Sequence, residues 1–246
     1  MIKTLSLALT FLTIIPWPRQ ATADHQELAN SMAWFPLVGL LLGGILSAAA
    51  LGLSHILPPV AAAALLTALL TIANRGLHLD GLADTLDGLG GGRGREDSLR
   101  IMKDHAVGAF GAVGIVLILM VKFSFLAGVL EQKAWWPILI FPVVSRGAMV
   151  LLAYLSPYAR SEGGLGEAMT SLTSGRTLIF ASSSALLIVG LIGSWRGLVS
   201  LIAAAAVTIL AAIYFWRRLG GVTGDVFGAL NEVLEVLVLA VCLIQV

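Results

Sequence analysis

The sequence predicts an all-α, polytopic integral membrane bundle of about seven to eight transmembrane segments, forming one membrane-embedded domain over residues 1–246. Three observations predict it. Hydrophobic residues make up 58% of the chain, charged residues only 12%, and mean hydropathy is +0.95, well outside the range of soluble globular domains. Apolar runs of about 17–25 residues recur, the length needed to cross a hydrocarbon core roughly 30 Å thick. Lysine and arginine also fall on alternate connections, as a spanning topology requires.

At the N-terminus, Met1-Ile2-Lys3 leads into an apolar stretch ending at Ile15, which resembles a short signal sequence. No small-x-small cleavage site follows. Pro16-Trp17-Pro18 follows instead and reads as a membrane-interface anchor, so residues 3–15 are expected to form a retained short or interfacial helix, or an eighth span. The further apolar segments are 34–55, 59–74, 106–130, 135–155, 178–194, 198–216 and 226–246. Connections 56–58, 131–134 and 195–197 are tight turns, whereas 16–33, 75–105, 156–177 and 217–225 are longer and hold most of the polar residues.

The longer connections carry Arg19, Arg75, Arg93, Arg95, Arg100, Lys103, Arg160, Arg176, Arg217 and Arg218, against Lys133 and Arg196 in the tight turns. That asymmetry places the longer connections in the cytoplasm, and the acidic stretch at 78–88 with them. A net charge of +1 leaves no nucleic-acid footprint. Cys242 is the lone cysteine, so no internal disulfide exists. Trp135-Trp136, Trp195 and Trp216 stand at predicted span ends, as an aromatic belt does.

The chemistry concentrates in His78-Leu-Asp80-Gly-Leu-Ala-Asp84-Thr-Leu-Asp87-Gly88. If the stretch is helical, Asp80, Asp84 and Asp87 stand at i, i+4 and i+7 and share one face. Three like charges there repel and call for a cation, for which a hard divalent metal on a phosphorylated substrate is the candidate. Gly81 and Gly88 each cost about 1 kcal/mol in a helix interior, so they are expected to mark a close backbone approach or a local break. His78 is open between a fourth ligand, a base and an interfacial histidine satisfied by hydrogen bonds.

Gly90-Gly91-Gly92-Arg93-Gly94 reads as a flexible break or a phosphate-cradling loop. Lys103-Asp104 is either a surface ion pair or a further carboxylate ligand beside a phosphate-binding ammonium. Gly108, Gly111 and Gly114 recur every three residues, a stripe for close helix packing. Lys122, Arg146, Asn231, Glu232 and Glu235 interrupt apolar spans, where each charge costs at least roughly 2.5–3.5 kcal/mol and faces a partner or a wet cavity. Two readings stand. One is internal salt bridges, Arg146–Glu232 or Lys122–Glu235; the other is a polar pocket in which the Arg146 fork grips a phosphate. Asp225, Glu232 and Glu235 lie at i, i+7 and i+10 near one face, and Gly220-Gly-Val-Thr-Gly-Asp225 reads as a helix start capped by Thr223 or Asp225. Arg160-Ser-Glu-Gly-Gly-Leu-Gly166 is a polar connection or a substrate lid.

The acidic stretch, followed by Ile101-Met-Lys-Asp104 and Gly108-Ala-Phe-Gly111, resembles the signature of the cobalamin synthase family, also called adenosylcobinamide-GDP ribazoletransferase. Phe11-Leu-Thr-Ile-Ile-Pro16, Phe35-Pro-Leu-Val-Gly39, Ser145-Arg-Gly147, Glu162-Gly-Gly-Leu-Gly166 and Gly220-Gly-Val-Thr-Gly-Asp225 extend the resemblance nearly end to end. Lys103 stands where some relatives carry arginine, and His105 where many carry serine.

The resemblance implies a multi-pass enzyme of the bacterial or archaeal cell membrane performing the last assembly step of adenosylcobalamin. It would join adenosylcobinamide-GDP to α-ribazole or its 5′-phosphate, releasing GMP, with Mg²⁺. On that basis Asp80, Asp84, Asp87 and Asp104 are expected to hold metal. Asp84, Asp87, Lys103 and Arg146 are the catalytic candidates, with Lys103 and Arg146 stabilising phosphoryl charge. Asp87 or Asp225 would orient or deprotonate the ribose hydroxyl, and His78, Asp225, Glu232 and Glu235 would complete the substrate pocket. Expected partners are these substrates, the lipid bilayer, other late enzymes of cobalamin synthesis and further copies of the chain. The rival readings are a CDP-alcohol-type phosphotransferase, although the Asp-Gly-x-x-Ala-Arg continuation is missing after Asp87-Gly88, and a cation or corrinoid transporter.

Overall fold

A computed structural model describes residues 2–17 and 24–244; Pro18 and Arg19, used above for the anchor and the charge count, lie outside the described residues. The helices are α1 (Ile2–Leu12), α2 (His25–Ser31), α3 (Phe35–Leu53), α4 (Pro59–Ala73), α5 (Leu77–Gly91) and α6 (Arg95–Ile101). They continue as α7 (Ala109–Glu131), α8 (Trp136–Leu155), α9 (Leu165–Leu172), α10 (Gly175–Ile192), α11 (Trp195–Leu219) and α12 (Gly224–Leu243). No strand occurs among the described residues; a lone bridge joins Tyr158 to Val222.

Six segments are long and apolar enough to cross a membrane: His25–Leu53, α7, α8, α10, α11 and α12. A seventh exists only if α4 and α5 are counted together across an 86° bend. Of the alternatives for 3–15, the short helix forms and the eighth span does not, because α1 has 11 residues and is roughly 16 Å long. The segment expected at 59–74 is α4, whose 15 residues fall short of a full crossing. The connection drawn over 75–105 folds instead into α5 and α6. Trp195 and Trp216 lie at opposite ends of α11 and are 58% and 60% exposed, as side chains at the two interfaces of a bilayer are.

The break between α4 and α5 has a local cause. Arg75 and Gly76 both adopt left-handed backbone, with φ of 55° and 67°. Gly76 tolerates that freely, and Arg75 is held there by its guanidinium. Its Nη2 donates to the carbonyls of Thr10 at 2.8 Å and Phe11 at 3.2 Å, two of the orphan acceptors at the end of α1. Arg95 serves α11 in the same way, its Nε donating to the Leu219 carbonyl at 2.7 Å. Arg75 and Arg95 therefore anchor helix ends, where cations also meet the negative end of the helix dipole.

Helices α8 and α12 form the centre: 72% and 67% of their apolar stretches are buried, against 28% for α7, α10 and α11. Close packing of α3 on α8 depends on two glycines. A Cβ at Gly39 would lie 2.3 Å from the Pro142 carbonyl oxygen, and one at Gly43 would lie 2.2 Å from that of Leu139. Without a hydrophobic driving force between helices in lipid, such backbone proximity is what dispersion packing needs.

A buried charge network joins α7, α8 and α12. Lys122 Nζ donates to Glu232 Oε2 and to Glu235 Oε2, each at 2.6 Å. Arg146 Nη1 donates to Glu235 Oε1 at 3.0 Å, and its Nη2 donates to Asn74 Oδ1 at 3.1 Å. All four charged side chains are at most 4% exposed, and their charges cancel. Of the two sequence readings, internal salt bridges are what forms: Lys122 meets Glu235 as expected and Glu232 as well, whereas Arg146 meets Glu235 rather than Glu232. Replacing Glu235 by Leu would leave Arg146 without its carboxylate and Lys122 with Glu232 alone, a loss of about 3–5 kcal/mol. The expected result is a large drop in melting temperature in lipid nanodiscs, smaller for Glu235→Gln; an unchanged melting temperature for Glu235→Leu would refute this role.

Candidate active site

Helix α5 carries the acidic stretch and packs between α7 and α12. Leu79, Leu82 and Ala83 are buried, and the carboxylates run from exposed Asp80 through half-buried Asp84 to buried Asp87. The shared face expected from the spacing thus passes through three environments. Gly81 and Gly228 create the crossing of α5 over α12. A Cβ at Gly81 would lie 2.7 Å from the Asp225 carbonyl oxygen, and one at Gly228 would lie 3.0 Å from that of His78. This is the close backbone approach expected for Gly81, and it brings the start of α12 against the acidic face. Asp84 there meets the like charges of Asp225 and Asp80 and the opposite charge of Arg160. Asp80 and Asp84 accept no hydrogen bond and make no ion pair among the described residues.

Asp87 is engaged differently. Its Oδ2 accepts the Gly108 N–H at 2.7 Å and its Oδ1 accepts the Gly111 N–H at 2.9 Å. These are orphan donors at the start of α7, so α5 caps α7 from outside. A Cβ at Gly108 or Gly111 would fall 2.5 or 2.4 Å from that carboxylate, and one at Gly114 would fall 2.0 Å from Leu86. The glycine stripe therefore serves close packing, as its period predicts.

Asp225 stands on the first turn of α12, after Thr223, whose Oγ1 caps the helix by accepting from the Val226 N–H at 3.4 Å. Its Oδ2 accepts from Arg160 Nη2 at 2.7 Å and from Thr223 Oγ1 at 3.1 Å. Arg160 also lines a groove of about 350 Å³ with Arg95, Arg100, Lys103, Glu96 and Glu162. Lys103 pairs with Glu162 across this groove and holds its carboxyl below the ordinary carboxylate range. The pair is accordingly intact at neutral pH and is lost only as pH falls through that lowered value. On the other side of Asp225 lies a cavity of about 170 Å³, lined by His78, Asp80, Gly81, Asp225 and the apolar Phe11, Met149, Met169 and Phe227. The ion pair Arg160–Asp225 thus stands between a basic groove and a mixed cavity.

The candidate residues do not all converge. Asp80, Asp84, Asp225 and His78 come together around the α5–α12 crossing, with Lys103 on the adjoining groove. Asp104 lies in an exposed turn, its Oδ1 accepting the Ala106 N–H at 3.1 Å. Among the described residues no three Asp, Glu, His or Cys side chains are grouped to hold a metal, so the expected four-carboxylate set is not assembled. Arg146 is fully buried and committed to Glu235 and Asn74, so it forms no phosphate clamp at the cavity wall; Glu232 and Glu235 are likewise closed within the network. Sequence reasoning gave three contributors no assigned partner. Arg160 reads as a loop cation until folding sets it on Asp225. Asn74 sits inconspicuously at the α4 end. Asn231 carries one legible signal, its position four residues before Glu235 on the same face.

Fold and site together define a multi-pass membrane protein with carboxylates and cations gathered at one end of its bundle. A family model described as cobalamin-5-phosphate synthase matches residues 4–243, and the chain belongs to that family. It is 45% identical over 235 residues to the adenosylcobinamide-GDP ribazoletransferase of Syntrophobacter fumaroxidans, covering 95% of each chain. To the protein of that name from Desulfitobacterium hafniense it is 40% identical over 248 residues, 96% of this chain and 95% of the relative. For that from Desulforamulus reducens the figures are 37%, 247 residues, 99% and 97%. No solved structure matches the chain.

Asp87→Ala removes both acceptors of the α7 cap and should lower stability by about 1–2 kcal/mol. Faster amide hydrogen exchange at Gly108 and Gly111 is the expected readout, and unchanged protection there would show that Asp87 does not cap α7.

Proposed function

We propose that this chain transfers the adenosylcobinamide phosphate group of adenosylcobinamide-GDP to α-ribazole or its 5′-phosphate, releasing GMP, at the cytoplasmic face of the cell membrane. The observation that carries the reading is near-full-length similarity to relatives of that name. Unpartnered carboxylates beside a basic groove suit the same chemistry. An acceptor hydroxyl attacks phosphorus, a new O–P bond forms, and the bridging P–O bond breaks to release GMP.

Mg²⁺ fits the donor set at Asp80 and Asp84, because this ion takes one or two protein carboxylates and completes its shell with water and phosphate oxygens. When bound it supplies positive charge against the diphosphate. Arg160, Lys103, Arg95 and Arg100 line the groove and would bind and orient the anionic donor. Asp225 keeps Oδ1 clear of the Arg160 and Thr223 contacts, both of which fall on Oδ2. That oxygen is the acceptor for the proton leaving the attacking hydroxyl. Arg146 acts from behind this wall, as a positioning residue. The mutual neutralisation of Lys122, Arg146, Glu232 and Glu235 also disfavours a transporter, whose buried charges would line a wet pathway.

Purified chain in nanodiscs, given adenosylcobinamide-GDP, α-ribazole and Mg²⁺, should form GMP and the joined corrinoid in equal amounts. Asp80→Asn and Asp84→Asn should each lower turnover on the order of a hundredfold at unchanged melting temperature; near-normal rates would exclude a metal role for them. Orientation is checked with Ser161→Cys, since the native Cys242 is buried. A membrane-impermeant maleimide should label Cys at 161 in inside-out vesicles and spare it in intact cells.

A further inference from the structure

The network behind the site does more than hold helices together. Asn231 Nδ2 lies 3.0 Å from Glu235 Oε1 and 2.8 Å from His78 Nδ1. The Glu235 carboxylate, flanked by Lys122 and Arg146, only accepts hydrogen bonds, so the nitrogen end of the Asn231 amide must face it. That same nitrogen then donates to His78 Nδ1, which must offer a lone pair. A neutral imidazole with a bare Nδ1 carries its proton on Nε2. The tautomer of His78 is thus dictated by Glu235 through Asn231.

His78 is 2% exposed, and its Nε2 is a buried ring nitrogen with no partner among the described residues. An N–H without a protein partner in such a place forfeits its hydration, so it calls for an acceptor atom, which a water or a ligand seated against the ring supplies. His78 lines the cavity of about 170 Å³ with Asp80, Asp225 and the apolar Phe11, Met149, Met169 and Phe227. Two carboxylates repel a free anion there, whereas apolar walls, hydroxyl-accepting carboxylates and one N–H donor suit an uncharged ring and sugar. The phosphates belong in the basic groove beyond Arg160.

We infer that His78 is a specificity-determining residue that donates Nε2–H to the uncharged body of the acceptor nucleoside seated in this cavity, with its tautomer locked by the Glu235–Asn231 chain. The inference rests on the transferase reading for the identity of the nucleoside, and its test does not require turnover. The affinity of α-ribazole for the full chain in nanodiscs is measured by calorimetry for wild type, His78→Gln and His78→Asn. Glutamine can place an amide N–H where Nε2 stands, whereas asparagine reaches only the Nδ1 position. Glutamine should therefore keep affinity within about threefold and asparagine should lose about tenfold, the worth of one hydrogen bond. The affinity of adenosylcobinamide-GDP should be unchanged in both. Equal losses in the two variants, or none, would overturn the assignment.

The ring-nitrogen ¹⁵N spectrum of histidine-labelled chain, with the His78 signal assigned by its loss in His78→Gln, should show a protonated Nε2 and a bare Nδ1. A protonated Nδ1 would equally overturn it. Absence of transfer by wild type would instead count against the function proposed above, leaving both of these readouts intact.

Discussion

Glu235 is the group on which the interior depends. Its two oxygens meet Lys122 on α7, Arg146 on α8 and Asn231 on its own helix, and through Asn231 they reach His78 on α5. In a bilayer a charge lacking such company is expensive, and here two cations and two anions cancel within one contact network. The same contacts that neutralise the core also hold the imidazole of His78, a residue that lines the cavity. Structural and functional demands therefore converge on one carboxylate, and a substitution there would disturb both.

Glycine supplies the complementary geometric constraint. Gly39 and Gly43 let α3 lie against α8, Gly81 and Gly228 let α5 cross α12, and Gly108 and Gly111 make room for the Asp87 carboxylate. Each position trades helix propensity for proximity. The gain at the α5–α12 crossing is chemical: it sets Asp225 beside Asp80 and Asp84, with Arg160 as the nearest counterweight. Arg160 offsets part of the crowding of like charge at that point.

Much of this was legible beforehand. Spans on the core helices emerged from long apolar runs even though Arg146, Asn231, Glu232 and Glu235 interrupt them. The stripe at 108–114 followed from residue type and period, whereas the cap lay between Thr223 and Asp225, and Gly81 between close approach and a break, until the fold decided both. Of the two readings of 3–15, the short helix is the one that forms: hydrophobicity alone does not report helix length, and α1 stops at Leu12. Arg146 is the instructive case. Its sequence context fits a phosphate clamp and a buried counter-ion equally, and only the position of Glu235 on another helix separates them.

Membrane character, the acidic helix, the alternation of basic connections and the family follow from the sequence by itself, since each rests on local composition, spacing or extended similarity. The partners of the charges were decided by the tertiary structure alone. Asp87 turned out to cap α7, Arg160 to pair with Asp225 and Asn231 to orient His78, at separations of 21, 65 and 153 residues. Electrostatic and hydrogen-bond energies fall off over a few ångströms in space and take no account of distance along the chain. The residue types therefore announce the chemistry, and only the packing of helices determines which group meets which.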